Sequence, residues 1–166
     1  TPHPASLTST QLLQQCATRR QRRSGPGGQH RNKVETAVVI THRESGIQGT
    51  ASERRSQEQN RQVALFRLRL NLAIDIRQAP PVEAPSELWQ KRVQKRRLAV
   101  SPDHEDYPSL LSEAMDQIQM HKGDAVNAAS DLETSTSQLL KLLRHQPRAM
   151  ELVNNLRRQH KRKKLH

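Results

Sequence analysis

Aromatic residues are scarce in this sequence: Phe, Trp and Tyr occur once each and make up 2% of its 166 residues. Proteins that read single-stranded nucleic acid by stacking its bases need several exposed aromatic rings. Base stacking is therefore excluded as a main recognition mode, which leaves phosphate contact and shape as the alternatives. The hydrophobic fraction of 33% also predicts small cores and modest stability.

Cysteine is equally scarce, and metal-binding patterns are missing. Cys16 is the single cysteine, so no internal disulfide can form and we predict an inert thiol. The eight histidines are scattered, without a His-x-x-x-His pair or a carboxylate cluster beside them. We therefore predict no metal and no cofactor. No apolar run approaches the roughly 20 residues of a membrane span, so we expect no membrane partner.

Acidic residues are absent before Glu35, whereas basic residues are abundant, and the formal net charge is +12. Residues 1–78 carry 13 Lys and Arg against 5 Asp and Glu, residues 79–156 carry 9 against 11, and residues 157–166 carry 6 against none. Such a surface attracts a polyanion through counterion release. The pattern predicts nucleic-acid contact at both ends of the sequence.

A loop rich in proline and glycine occupies the first basic region. Residues 24–42 read SGPGGQHRNKVETAVVITH, and the loop runs into an alternating strand predicted over Glu35 to His42. Pro26 fixes one backbone φ angle, and the glycines let the main chain approach a partner without Cβ contacts. Gln29 is the only functional group at the tip. This loop fits delivery of one carboxamide into a crowded reaction centre, although the bare tripeptide also fits an ordinary connection.

Local patterns predict further elements around this loop. Thr8 and Gln11 have capping-box spacing, which predicts a short helix. Glu44-Ser45-Gly46 supplies a turn before a second strand from Ile47, so a hairpin is expected. Residues 56–77 carry two apolar stripes at helical spacing, and we expect this helix to be covered on two sides. The stripes are Val63, Phe66, Leu70, Ala73 and Ile74, and Leu65, Leu68, Leu72 and Ile76.

Loop, strand, turn and helix are followed by Arg55-Ser56-Gln57 and Asn60 in one continuous pattern. Over roughly residues 23–76 this pattern resembles the catalytic domain of class I peptide chain release factors and of the related codon-independent ribosome-rescue hydrolases. The resemblance implies an α+β domain in which a hairpin packs on the long helix. It also implies hydrolysis of the ester joining the nascent peptide to transfer RNA in the peptidyl transferase centre of the ribosome.

The same resemblance assigns catalysis to Gly27, Gly28 and Gln29. The Gln29 N–H would face the developing charge or the leaving ribose hydroxyl, and its side-chain amide would confine the pocket to water. RNA groups would carry the remaining work, which agrees with the lack of a discernible Ser/His/Asp set in the sequence. His30 is an alternative general base, but we expect it to contact phosphate.

Predicted RNA contacts are the basic residues around the loop and on the C-terminal tail. They are Arg19, Arg20, Arg22, Arg23, His30, Arg31, Lys33, Arg157, Arg158, Lys161, Arg162, Lys163 and Lys164. For Arg31 and Lys33, the alternative to RNA contact is a solvated charged strand edge. The tail resembles the basic extensions by which rescue factors probe an empty messenger channel, and a generic electrostatic anchor is equally compatible with it.

The chain is predicted to comprise a catalytic domain over 1–78, a proline-rich linker with a short basic helix over 79–108, a helical bundle over 109–156 and a basic tail over 157–166. The basic helix is expected over residues 87–97.

Within these segments, Trp89 is expected to anchor the basic helix. Gly123 to Leu143 is compatible with a helix-turn-helix, and Ser135 with Gln138 repeats the capping-box spacing. A tight three-helix bundle fits this segment equally well.

Codon-independent ribosome rescue by a monomer is our primary hypothesis, with the ribosome and peptidyl-tRNA as partners. A non-catalytic nucleic-acid-binding regulator is the first alternative, and codon-directed termination is the second. Only 24 residues precede Gly25, and no codon-reading element is evident among them, so stop-codon specificity is not expected. The lack of Asp and Glu before Glu35 is typical of an organelle transit segment. The arginines in this region adjoin the catalytic loop, however, which gives them a role in the mature protein. We therefore expect bacterial cytoplasm, with the mitochondrion as the alternative.

Overall fold

A computed structural model describes residues 1–22 and 37–166. The chain divides into two compact units, Thr1–Leu72 and Ala73–His166. Small antiparallel sheets combine with helices, which confirms the predicted mixed class of helix and strand.

The first unit opens with a 3-10 turn over Pro4–Ser6 and helix α1 over Ser9–Gln14. Thr8 caps this helix, because its hydroxyl accepts from the Gln11 N–H at 3.2 Å. The Gln11 side-chain oxygen accepts in return from the Thr8 N–H at 3.1 Å. Both halves of the predicted capping box are present.

Three antiparallel strands follow in the spatial order β1-β2-β3, namely β1 (Cys16–Gln21), β2 (Ala37–His42) and β3 (Gln48–Ala51). The predicted hairpin is confirmed, with Thr41 opposite Gln48 and Val38 opposite Ala51. Gly46 lies in the turn with φ of 73°, in the left-handed region where glycine costs least.

Strand β1 was not predicted from the sequence. Its residues, CATRRQ, lack apolar alternation, and every residue after Cys16 is exposed. β1 is an edge strand, defined by its pairing with β2 from Cys16 opposite His42 to Gln21 opposite Ala37. Such pairing leaves no local pattern in the sequence.

The long helix α2 covers Gln57–Asp75, close to the predicted bounds. Leu65, Leu68 and Leu72 of one predicted stripe are buried, and Val63, Phe66 and Leu70 of the other are half-buried. The helix passes close to β3 at Gly49, where an added methyl group would overlap the backbone of Ala64 and Leu68. Glycine is therefore required by close approach of two backbones.

The second unit contains five more helices and a two-stranded hairpin among the described residues. They are α3 (Glu87–Arg92), β4 (Val93–Gln94), β5 (Arg97–Leu98), α4 (Tyr107–Met120), α5 (Ala125–Asp131), α6 (Thr136–Arg144) and α7 (Pro147–Gln159). The proline-rich segment before α3 has no helix or strand.

The prediction of a basic helix over residues 87–97 was wrong in its second half. The helix ends at Arg92, and the following residues form the β4–β5 hairpin. Lys95 and Arg96 in the turn have φ of 49° and 65°. Two successive positive φ angles are what a two-residue hairpin turn requires, although glycine or asparagine usually supplies them.

Two large side chains lie in the core of this unit with both their polar groups satisfied. Trp89 is fully buried, and its indole N–H donates to the Leu132 carbonyl at 2.7 Å. Tyr107 is fully buried as well, and its hydroxyl donates to the Leu142 carbonyl at 2.7 Å. Burial raises the pKa of Tyr107, so this hydroxyl keeps its proton. The expected role of Trp89 as an anchor agrees with this geometry.

Only half of the second predicted capping box forms. The Ser135 hydroxyl accepts from the Gln138 N–H at 3.2 Å and caps α6. The Gln138 side-chain oxygen instead accepts from the Leu98 N–H at 3.2 Å. Gln138 therefore ties α6 to the β4–β5 hairpin.

Candidate functional site

The strand residues on either side of the segment that contains the predicted catalytic residues are neighbours in the sheet, because Gln21 of β1 pairs with Ala37 of β2. The predicted site residues outside the described ranges are Arg23, Gly27, Gly28, Gln29, His30, Arg31 and Lys33. Their roles stay predictions, and the described geometry concerns the framework at either end of the segment.

Strand β2 provides a rigid end to that framework. Val38, Val39 and Ile40 are exposed by 4% or less, so both faces of the strand are covered. β-branched side chains are stiff and pack well on a pleated surface. The return point of the chain at Ala37 is therefore fixed by packing.

The opposite ends of β1 and β2 are joined through His42, which is 1% exposed. Its Nε2 lies 3.1 Å from the side-chain oxygen of Gln15, and its Nδ1 lies 2.7 Å from the Ser45 hydroxyl. Since an amide oxygen only accepts, this assignment puts the imidazole proton on Nε2 and leaves Nδ1 to accept from Ser45. The Ser45 oxygen also accepts from the Ile47 N–H at 3.2 Å, so the pair stabilises the turn.

Two predicted RNA contacts lie on β1, on opposite faces of the sheet. Arg19 pairs with Val39 and Arg20 pairs with Val38, and both arginines are exposed. Successive strand residues point to opposite faces, so only one of the two shares a face with Gly49 and α2. Arg22 follows the strand directly and is exposed.

Asn60 positions the residues that precede α2. It is fully buried, and its side-chain oxygen accepts from the Arg54 N–H at 2.9 Å. Its side-chain nitrogen donates to the Arg54 carbonyl at 3.0 Å. The sequence indicated Asn60 only as part of the family pattern, and the structure gives it this role in fixing the Arg54-Arg55 backbone.

An ion pair also connects α2 to the residues that precede it. The Arg67 guanidinium donates to Glu53 at 2.5 Å and to the Thr50 carbonyl at 2.9 Å. The hydrogen bond from Arg67 lowers the pKa of Glu53 to about 2. Both side chains are more than 40% exposed, so solvent screening keeps the contribution of this pair to stability small.

The basic tail folds back on the helical unit. Arg157 donates to the Gly123 carbonyl at 2.6 Å and to the Lys163 carbonyl at 2.7 Å. Arg162 donates to the Lys122 carbonyl at 3.1 Å. Asn154 and Leu165 exchange two hydrogen bonds of 2.8 and 2.9 Å.

The predicted contacts on the tail thus differ in their surroundings. Arg157 is half-buried in the last turn of α7, and both Arg157 and Arg162 make intramolecular bonds. The remaining predicted cations of the tail are exposed, namely Arg158, Lys161, Lys163 and Lys164. RNA contact by any of the six stays a prediction.

The segment compatible with a helix-turn-helix forms α5 and α6. Helix α6 buries Leu139, Leu140, Leu142 and Leu143. Arg144, one of its two basic residues, donates to the His166 carbonyl. These contacts describe a tightly packed helical unit, and nucleic-acid readout by α6 stays a prediction.

Among residues 1–22 and 37–166, no group of three or more His, Cys, Asp or Glu side chains is arranged to hold a metal ion. None of the helices in these ranges combines the length and apolar character needed to cross a bilayer.

The RF-1 domain family matches residues 13–106, which is more than half of the chain. The matched residues include β1, β2, β3 and α2 together with the Gly27-Gly28-Gln29 triplet. The chain therefore belongs to the RF-1 domain family, as its resemblance to class I release factors predicted. Residues 107–166 lie beyond the match.

Curated relatives agree with this assignment. The chain is 38% identical over 85 residues to peptide chain release factor 2 of Roseobacter denitrificans, covering 51% of this chain and 18% of that protein. It is 48% identical over 72 residues to peptide chain release factor 1 of Chloroherpeton thalassium, covering 43% and 20%.

A third relative is an uncharacterized mitochondrial peptide chain release factor-like protein of Saccharomyces cerevisiae. The chain is 41% identical to it over 76 residues, covering 44% of this chain and 49% of that protein. The chain thus spans between about a fifth and a half of the length of these three relatives. No solved structure matches it.

Proposed function

We propose that this protein hydrolyses the ester of peptidyl-tRNA on the ribosome and so releases the nascent peptide. The observation that carries the proposal is that the RF-1 match over residues 13–106 encloses the Gly27-Gly28-Gln29 triplet. The geometry supports it, because β1 and β2 fix the two ends of this segment side by side in one sheet. Function requires such a rigid base, since small displacements of a catalytic group are costly.

The chemistry needs no ionisable side chain from the protein. Attack of water on the ester passes through a tetrahedral oxyanion, whose charge must be stabilised as it develops. In our proposal the Gln29 N–H meets this charge or the leaving ribose hydroxyl. The Gln29 side-chain amide restricts the pocket to water, and Gly27 and Gly28 allow the main chain to come close.

We further propose that release does not depend on a codon. The residues beyond the RF-1 match form a helical unit with a basic tail, which offers charge-based engagement of ribosomal RNA. Codon-directed termination is the second candidate, and it is favoured by the names of the bacterial relatives, peptide chain release factors 1 and 2.

We place this activity in a monomer in the bacterial cytoplasm, with the ribosome and peptidyl-tRNA as its partners. The bacterial origin of two of the three relatives described supports this compartment. The mitochondrial relative makes the mitochondrion the alternative.

A release assay tests the proposal. Ribosomes carry a labelled peptidyl-tRNA in the P site. Their A site contains no messenger codon (the empty A site), a sense codon or a stop codon. We expect peptide release with the empty A site at a rate within about threefold of that with a stop codon, a difference of less than one kcal/mol in activation free energy. Release only with the stop codon would favour termination, and no release in any arm would contradict the proposed hydrolysis.

A further inference from the structure

A groove of about 380 Å³ in the second unit is mostly apolar. In the first unit, a groove of about 610 Å³ opens between β1 and the start of α2. All but one of its lining residues are polar or charged. The lining residues are Thr18, Arg20, Val38, Arg55, Ser56, Gln57, Glu58 and Arg61.

This groove follows from how α2 packs on the sheet. The helix approaches β3 closely at Gly49, so it lies toward the β3 side of that sheet face. β1 is the opposite edge strand, and its Thr18 and Arg20 share the face that α2 covers elsewhere. These two side chains therefore border an open groove with the first turns of α2 on the other side.

Three guanidinium groups border the groove and only one carboxylate accompanies them. Arg61 pairs with Glu58 at 3.1 Å, and the two side chains are 42% and 61% exposed, so water screens the pair strongly. Within residues 1–22 and 37–166, the side chains of Arg20 and Arg55 make no hydrogen bond or ion pair. The groove thus has a net positive charge and two cations that no described acid neutralises.

We propose that this groove binds a phosphodiester of nucleic acid, with Arg20 and Arg55 as its principal contacts. The site rests on the proposed function, because it would seat the base of the catalytic segment on RNA. Arginine suits this role, since its planar fork matches phosphate oxygens. Thr18 and Ser56 add hydroxyl groups that can donate to the same oxygens.

The position of the groove explains why a phosphate there would matter. Arg20 is the second-to-last residue of β1, which ends at Gln21. On the other side, Asn60 fixes the backbone of Arg54 and so restrains the peptide group that precedes Arg55. A bound phosphate would join these two supports at the point where the chain leaves the sheet.

Paired double variants test the groove by ribosome binding of the full chain over a range of salt concentrations. Arg20→Gln/Arg55→Gln removes both groove cations. Arg43→Gln/Arg54→Gln is the matched control, because both arginines are exposed in the same unit, line no part of the groove and are not among the predicted RNA contacts. We expect the groove variant to bind at least about tenfold more weakly, with the slope of log affinity against log salt reduced by roughly one to two.

Equal weakening by both variants would overturn the proposal, because net charge rather than the groove would then carry binding. Unchanged binding by the groove variant would overturn it as well. Circular dichroism establishes that each variant is folded, and Arg20→Lys/Arg55→Lys should recover part of the affinity if a cation at these positions is what matters. No recovery by this lysine variant, when it is folded and the groove variant binds weakly, would require planar recognition and still support the groove.

Two further arms distinguish ribosomal RNA from transfer RNA as the source of the phosphate. They also distinguish a failure of the groove proposal from a failure of the proposed hydrolysis. Large subunits with a vacant P site and with bound peptidyl-tRNA are compared. A loss on both assigns the phosphate to ribosomal RNA, and a loss only with peptidyl-tRNA assigns it to transfer RNA; both support the groove. Groove-dependent binding without peptide release by the wild-type protein would contradict hydrolysis alone, whereas release with groove-independent binding would contradict the groove alone.

Discussion

Asn60 is a single buried side chain that holds the backbone before α2 by two hydrogen bonds to Arg54. Replacement by Ala would leave the N–H and carbonyl of Arg54 without this partner. We expect Asn60→Ala to lower the free energy of unfolding by about 2 kcal/mol, because unsatisfied groups keep their desolvation cost. Urea denaturation measures the change.

Gln59→Ala is the control for this prediction, since Gln59 is an exposed neighbour on the same helix. Its effect should stay within about 0.5 kcal/mol. A similar small effect of Asn60→Ala would mean that water replaces the lost bonds, and the restraint of the peptide group before Arg55 by Asn60 would then have to be abandoned.

Residue roles were predictable where the partner is close in sequence. The Thr8 cap involves a residue three positions away and was read from spacing alone. His42 bonds Gln15 across 27 positions, and Trp89 bonds Leu132 across 43. No local pattern encodes such partners, so the burial of Trp89 was expected but its hydrogen bond was not.

Gly49 determines how closely α2 approaches β3. We expect Gly49→Ala to lower the free energy of unfolding by about 3 kcal/mol, because the new methyl group would overlap helix backbone that cannot move aside easily. Thermal denaturation followed by circular dichroism measures the loss.

Gly46→Ala provides the comparison in the same hairpin. A Cβ at Gly46 meets open space, and its cost of about 1 kcal/mol comes only from the positive φ of 73°. If Gly49→Ala were no more damaging than Gly46→Ala, the close packing of helix on strand would be contradicted.

The elements themselves were predictable to the extent that their own residues show a period. β2 and α2 have apolar residues at strand and helix spacing, and both were predicted within a few residues of their bounds. β1 is basic and exposed, and β4 and β5 have two residues each, so none carries a period long enough to read. The turn at Lys95-Arg96 also lacks the usual turn residues.

For the helical unit, pH dependence follows from Asp116. Burial raises the pKa of this carboxyl to about 6, although the Gln78 N–H and Arg77 oppose the shift. A raised pKa means that the folded state binds the proton more tightly, so this stabilisation is complete below about pH 4 and lost as pH rises through 6.

Asp116→Asn should remove this contribution. Relative to the variant, the wild-type protein should lose up to roughly 3 kcal/mol of unfolding free energy between pH 4 and pH 7. The comparison uses the change with pH, so any constant offset from the lost Arg77 pair cancels. Parallel stability curves for the two proteins, obtained by urea denaturation at each pH, would contradict a raised pKa.

At the level of the whole chain, the charge distribution predicts nucleic-acid contact at both ends, which stays a prediction, but it does not indicate the form of the tail. The six basic residues at 157–166 were compatible with a channel-probing extension and equally with a generic electrostatic anchor. The structure instead ties this segment back through backbone carbonyls at Gly123 and Lys122. Carbonyl partners are common to every residue type, so sequence cannot indicate which ones a given arginine will choose.

Peptide release by Gln29→Ala tests the proposed hydrolysis most directly. Single-turnover release from ribosomes saturated with protein should fall at least about a hundredfold, because water is no longer confined beside the ester. Ribosome affinity should stay within about twofold. His30→Ala, in contrast, should weaken binding while largely preserving the saturated rate. Release by Gln29→Ala at the wild-type rate, with binding intact, would contradict catalysis by the glutamine.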